Sequence, residues 1–66
     1  MYLYDIDENT CINLEKIETI KFDARAASIY FYNERGNVIQ VKRFTKEEEA
    51  RKEYYRIKVM INNPPF

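Results

Sequence analysis

Histidine and tryptophan are absent from this 66-residue sequence, and cysteine and glycine occur once each. With a single cysteine the chain has no internal disulfide, and without histidine it has no Cys/His cluster for structural zinc. One glycine excludes a glycine-rich phosphate loop. Cys11 lacks the histidine base that usually activates a thiol nucleophile. The composition therefore predicts a protein that is not an enzyme and has no cofactor and no metal site.

Net charge and long apolar runs are lacking as well. Eleven lysine and arginine residues balance eleven aspartate and glutamate residues, whereas dedicated nucleic-acid-binding domains carry a basic surplus. No segment has the apolar length of a membrane span. The first residues show neither the basic start nor the apolar run of a signal peptide. We expect a cytoplasmic protein without membrane contact, for which nucleic acid is a partner class that stays open but is not favoured.

The clearest element in the sequence is an amphipathic helix over residues 45–62. Thr45 and Glu48 have the spacing of a capping box, and the acidic run 47–49 suits the positive end of a helix dipole. Two asparagines and two prolines at 62–65 favour termination of the helix. One apolar stripe follows a helical period, and its members are Ala50, Tyr54, Ile57 and Ile61.

Before the helix, apolar and polar residues alternate in short runs that predict β-strands. A change of spacing around 15–18 predicts a bend or one helical turn. Between two aromatic and β-branched runs, the loop 33–37 contains Gly36, which we expect in the left-handed conformation after a type I turn. The predicted strands span residues 2–7, 10–14, 19–22, 28–32 and 38–44.

These elements predict an α+β fold, in which an antiparallel sheet of four or five short strands is covered on one face by the single C-terminal helix. The expected domain spans residues 1–63, and residues 64–66 are expected to form a flexible tail. The side chains expected to face the core are Ile12, Leu14, Ile20, Phe22, Ile29, Phe31, Ile39, Val41, Ala50, Tyr54, Ile57 and Ile61.

The order of motifs is similar to that of small uncharacterised proteins of bacteria, archaea and viruses. The similarity rests on the spacing Ile12-x-Leu14-x-x-Ile17-x-x-Ile20, the hairpin closed by Gly36-Asn37, and the run Phe44-Thr45-x-Glu47-Glu48-Glu49-Ala50. The resemblance implies a β-meander followed by one C-terminal helix, and a viral or mobile-element protein that binds a host factor. The layout also resembles bacterial pleckstrin-like domains, although this chain is too short for their seven strands.

The face of the sheet turned away from the helix is expected to carry two aromatic residues, flanked by lysines and other residues of the neighbouring strands. The expected members are Tyr30, Tyr32, Thr19, Lys21, Val38, Gln40 and Lys42. Three interpretations stay open for it: a solvated face, a contact with another copy, or a platform for single-stranded nucleic acid. The nucleic-acid alternative uses Tyr30, Tyr32, Lys21 and Lys42.

Self-association is the favoured interpretation, because a core of this size is barely sufficient for stability without a disulfide or a metal. We expect a small protein-interaction module that forms a homodimer and also binds an unidentified protein partner. Two surfaces compete for the dimer contact, the sheet face and a second apolar pair on the helix. The candidate residues are Tyr55, Val59, Tyr30, Tyr32 and Val38.

Overall fold

A computed structural model describes residues 3–62, which form five strands, one 3₁₀ turn and one helix. The expected tail 64–66 and the predicted helix-terminating residues 63–65 lie outside the described residues, as does the start of the first predicted strand. The elements are β1 (Leu3–Asp7), β2 (Thr10–Asn13), the 3₁₀ turn Leu14–Lys16, β3 (Thr19–Asp23), β4 (Ser28–Tyr32), β5 (Val38–Arg43) and α1 (Glu47–Asn62).

The predicted α+β class is confirmed, and the strands divide into two antiparallel sheets. β1 and β2 form a two-stranded hairpin, and β3, β4 and β5 form a three-stranded meander with β4 in the middle. The helix packs against β3 and β4, and β1 lies against β5. The three-stranded sheet is therefore one layer, and α1 together with the β1–β2 hairpin is the second.

Side chains of aspartate and asparagine shape the connections. Asp7 accepts the amide of Asn9 at 2.8 Å, and Asn13 accepts the amide of Glu15 at 3.0 Å, which begins the 3₁₀ turn expected at this bend. In the β4–β5 loop, Gly36 has a φ of 82°. This confirms the left-handed glycine, since a residue without Cβ adopts that conformation at low cost.

A second left-handed residue lies in the β3–β4 connection, where the sequence gives no glycine. Ala27 has a φ of 48°, and its carbonyl accepts the amide of Phe44 at 2.9 Å. Asp23 accepts the amides of Arg25 and Ala26 at 3.1 and 3.3 Å through one carboxylate oxygen. An Asx turn and a contact with the end of β5 thus hold this connection in place.

The core lies between the two layers. Most of the expected core residues are buried or half-buried, with Ile29, Phe31, Ala50 and Ile57 at 0% exposure. Three further buried apolar residues were not in the expected set, and they come from the hairpin and the segment after the 3₁₀ turn: Tyr4, Ile6 and Ile17.

The predicted inward orientation of Ile39 and Val41 on β5 is wrong. Gln40 pairs with Phe31 and Lys42 pairs with Ile29, so these two residues of β5 lie on the core side. Val41 pairs with Tyr30 on the outer side, and Ile39 is 40% exposed. A β-bulge at Ile39 accompanies the shift, because two residues of β5 oppose one residue of β4 there.

The start of the helix also differs from the prediction. α1 begins at Glu47, and the amide of Ala50 donates to the carbonyl of Lys46 at 3.2 Å. Lys46 therefore occupies the N-cap position, and Thr45 lies one residue too early for the expected capping box with Glu48. The run 47–49 still fills the first helical turn, where its negative charge suits the helix dipole.

Candidate interaction surface

The centre of the candidate surface is the outer side of β4. Ile29 and Phe31 point into the core and are fully buried. Because successive side chains of a strand point to opposite faces, Tyr30 and Tyr32 point away from the core. Both tyrosines are half-buried.

Strand β3 adds polar and charged residues beside these tyrosines. Lys21 is paired with Tyr30 and Thr19 with Tyr32, and opposite residues of antiparallel strands share a face. Both β3 residues are exposed. The Lys21 ammonium lies 5.2 Å from the ring centroid of Tyr32, which is a cation–π distance.

Strand β5 adds apolar residues on the other side of β4. Val41 is paired with Tyr30 and Val38 with Tyr32. Val38 is 48% exposed and Ile39, in the bulge, is 40% exposed. Val38 and Ile39 are the two bulge residues that lie opposite Tyr32. We call this surface the open face, and it consists of Thr19, Lys21, Tyr30, Tyr32, Val38, Ile39 and Val41.

Charges of both signs lie at one end of the open face. Asp23 and Arg43 are both paired with Ser28, which is two residues before Tyr30 and thus on the same side of β4. The open face therefore has an apolar, aromatic centre and a rim with Lys21, Asp23 and Arg43. Within residues 3–62 the contacts of α1 and the hairpin are with the opposite side of the sheet.

Two residues expected on the open face lie on the core side instead. Gln40 and Lys42 are paired with Phe31 and Ile29, which are both core residues. The Lys42 ammonium donates to the Tyr4 hydroxyl at 3.1 Å and to the Asp5 carbonyl at 2.8 Å. It therefore joins β5 to β1 and is separated by the sheet from the tyrosines of the open face.

The contacts of Lys42 continue into a chain of polar groups that reaches the helix. The Tyr4 hydroxyl donates to the Glu53 carboxylate. Arg56 donates to the two oxygens of that carboxylate at 2.9 and 2.7 Å. The Lys42 ammonium also lies 4.5 Å from the Tyr4 ring centroid. This group, which we call the Tyr4 network, consists of Lys42, Tyr4, Glu53 and Arg56.

The environment of the Tyr4 network shifts two of its pKa values in opposite directions. Burial of the phenol, together with the hydrogen bond to the Glu53 carboxylate, raises the pKa of Tyr4 well above 10.0. Hydrogen bonds from Arg56 lower the pKa of Glu53 below 4.5, although partial burial of the carboxylate opposes this. At neutral pH the network holds a neutral phenol between an ammonium and a carboxylate, and its hydrogen bonds join β1 to β5 and to α1.

The second candidate surface lies on the outward side of α1. Tyr55 is 55% exposed and Val59 is 59% exposed. The ring of Tyr55 lies 5.6 Å from that of Tyr54, and the Lys58 ammonium lies 5.4 Å from each ring centroid. Two apolar side chains form this patch, which is narrower than the open face.

Other reactive and polar groups form no comparable set. Cys11 is exposed and is paired with Asp5 in the hairpin. Within residues 3–62 no group of three or more acidic or thiol side chains is arranged to hold a metal ion.

A polar cleft of about 500 Å³ between the 3₁₀ turn and the β4–β5 loop is lined by residues of both charges, among them Glu18, Lys16 and Arg35. Among the described residues, no helix has the length and apolar character needed to cross a membrane.

Comparisons with protein-family models, curated proteins and solved structures found no match for the chain. The structure has the five-strand meander and C-terminal helix that the resemblance implies. That resemblance therefore extends to the layout of the elements, and it assigns no functional residue.

Sequence reasoning placed five residues of the open face correctly and assigned the other two, Ile39 and Val41, to the core. The five are Thr19, Lys21, Tyr30, Tyr32 and Val38. Apolar residues occur at both even and odd positions of β5, so alternation could not decide which of them face the core. The one signal available was the polar character of Gln40 and Lys42, which favoured placing both on the outer face. That placement was wrong because Lys42 lies on the core side, where its ammonium donates to the Asp5 carbonyl of β1.

Proposed function

We propose that the protein is a non-enzymatic interaction module that forms a two-fold homodimer through the open face. The observation that carries this proposal is the exposure of Val38 and Ile39, at 48% and 40%, beside two outward tyrosines. Contiguous exposed apolar groups of this kind mark protein–protein contacts. Two such faces would pack as a β-sandwich, with the sheets about 10 Å apart.

The charges around the open face support a second copy as the partner. A two-fold interface uses the same patch on both copies, so the patch must be self-complementary. An apolar centre meets this requirement, and a rim with Asp23 beside Lys21 and Arg43 offers both signs for contacts across the axis. Tyrosine is also enriched at the centres of interfaces.

Dissociation by substitution tests the proposal. The monomer mass is 8.0 kDa, and sedimentation equilibrium of the wild type should give twice that mass. Val38→Lys plus Ile39→Lys places two cations at exposed positions without touching the core, so it should give a folded monomer. Tyr30→Lys plus Tyr32→Glu should act in the same way.

The matched control is Tyr55→Glu plus Val59→Lys on the helix, which should leave the dimer intact. If this helix variant dissociates the dimer and the Val38/Ile39 variant does not, the helix is the interface and the open face is not. A wild type that stays monomeric at high concentration rejects self-association. The open face would then be a surface for another protein.

Single-stranded nucleic acid is the second candidate partner of the open face. The observation in its favour is that Arg43 and Lys21 flank the two outward tyrosines, even though Lys42 does not. Stacked bases and phosphate contacts would require both kinds of residue. Oligonucleotide anisotropy at increasing salt distinguishes the partners, because phosphate binding weakens steeply with salt whereas an apolar dimer contact does not.

A further inference from the structure

A notch between β3 and the C-terminal half of α1 forms a surface separate from the open face. Its volume is about 200 Å³, and it is lined by Ile20, Tyr54, Lys58 and Ile61. Ile20 is on the core side of β3, and Tyr54 and Ile61 belong to the inward stripe of the helix. All three are half-buried. The notch therefore has apolar walls, with one exposed ammonium at its edge.

The ring of Tyr54 has a fixed place in this notch. It stacks on Phe22 at a centroid distance of 5.7 Å, and its centroid lies 5.6 Å from that of the Tyr55 ring. The Lys58 ammonium lies over both tyrosine rings. These contacts orient the lysine toward the apolar walls, so its charge lies at the edge of the notch.

Lys58 differs from the two arginines of α1 that form ion pairs. Among the cations of α1, Arg51 pairs with Glu47 at 3.0 Å and Arg56 pairs with Glu53 at 2.7 Å. Within residues 3–62, Lys58 forms no ion pair. A ligand that fits the notch and carries a negative charge next to an apolar group would complement both features.

The size of the notch narrows the choice of ligand. Pockets for drug-sized molecules and cofactors have volumes of about 300 to 1,000 Å³, and this notch is smaller than that range. It has room for one apolar side chain. We propose that it binds the apolar C-terminal residue of a partner protein, with the side chain between Ile20, Tyr54 and Ile61 and the terminal carboxylate on Lys58. Capture of a free terminus is an established mode of peptide recognition.

An NMR titration with a short Gly/Ser peptide that ends in leucine tests this proposal on the full chain. Amide shifts should concentrate at the notch residues Ile20, Tyr54, Lys58 and Ile61. The same peptide with an amidated C-terminus should bind about threefold to tenfold more weakly, because the charge-assisted contact with the ammonium is lost.

Lys58→Gln should remove the difference between the acid and amide peptides. Because Lys58 is exposed, this substitution leaves the core intact. Lys52→Gln is the matched control on the same helix and should keep the difference. The proposal is overturned if millimolar peptide shifts no notch resonance, if the shifts map to the open face, or if wild-type protein binds the acid and the amide equally. Dimerisation of the Lys58→Gln protein should be unchanged, so this test is independent of the proposed dimer.

Discussion

The Tyr4 hydroxyl is the point at which three elements of the fold meet. It donates to Glu53 of α1 and accepts from Lys42 of β5, while its ring lies 5.9 Å from that of Phe31 in the core. A tyrosine at this position satisfies two conditions at once, since its ring fills the core and its hydroxyl bonds to the charged groups. Leucine or phenylalanine would satisfy the first condition alone.

Tyr4→Phe should therefore lower the free energy of unfolding by about 1 to 3 kcal/mol, because it removes a hydrogen bond to each of two charged groups, Glu53 and Lys42. Urea denaturation monitored by circular dichroism measures it. Tyr55→Phe removes an exposed hydroxyl and serves as the control with no expected change. Equal midpoints for the wild type and Tyr4→Phe would contradict the role of the Tyr4 network.

The shifted pKa values of the Tyr4 network predict how stability depends on pH. The folded pKa of Glu53 is below 4.5, so its contribution is present above pH 4.5 and is lost as the pH falls through the folded pKa. The pKa of Tyr4 is raised above 10.0, so its contribution is present below pH 10.0 and is lost as the pH rises further.

Urea midpoints measured across the pH range check the expected loss of stability at both acidic and alkaline pH. Glu53→Gln should flatten the acidic limb of the stability profile, and Tyr4→Phe should flatten the alkaline limb. The Tyr55→Phe profile should follow that of the wild type on both limbs. An alkaline limb that is unchanged in Tyr4→Phe would assign the loss of stability to other groups.

At the scale of elements, the β3–β4 connection stores strain in one residue. Ala27 has a φ of 48°, and a left-handed conformation costs an L-residue about 1 to 2 kcal/mol. Glycine would remove this cost. It would also increase the conformational entropy of the unfolded chain, which lowers the free energy of unfolding by about 0.4 to 1 kcal/mol and so offsets part of the gain.

Ala27→Gly should therefore stabilise the protein by about 0.5 to 1 kcal/mol, measured as a higher urea midpoint. Ala26→Gly is the control in the same connection. Its φ is not positive, and it should lower the midpoint or leave it unchanged. A loss of stability in Ala27→Gly would mean that the contact of its methyl group outweighs the backbone strain.

Elements with a clear local signal could be predicted from the sequence, and those set by distant contacts could not. Gly36 marked the β4–β5 loop, and the stripe from Ala50 to Ile61 marked the buried side of the helix. The orientation of β5 was not predictable, because a shift of one residue exchanges the two faces of a strand. The partnership of Tyr4 with Glu53 has no local signal either, since the residues are 49 positions apart.

At the scale of the whole molecule, the question is how a chain of 66 residues reaches sufficient stability. Domains of this size bury a small share of their surface and are marginal on their own. The two layers are joined by a core of few side chains and by the Tyr4 network. A dimer through the open face would cover the exposed apolar residues of β5 and add to the stability of the fold.

If the dimer forms, the midpoint of thermal unfolding should rise with protein concentration, because association stabilises the folded state by mass action. Melting curves over a hundredfold range of concentration check this for the wild type. The Val38→Lys plus Ile39→Lys variant should melt at one temperature throughout the range. A midpoint that is independent of concentration in the wild type would argue against a dimer that stabilises the fold.

The 49-residue separation between Tyr4 and Glu53 also determines when the protein can fold during synthesis. At roughly 5 to 20 residues per second, a ribosome adds Glu53 about 2 to 10 seconds after Tyr4. β5 is made before Glu53, but for most of that time β1 and β2 have neither β5 nor the helix to cover Tyr4 and Ile6. The contacts that bury Tyr4 and Ile6 therefore form only after nearly the whole chain has been made.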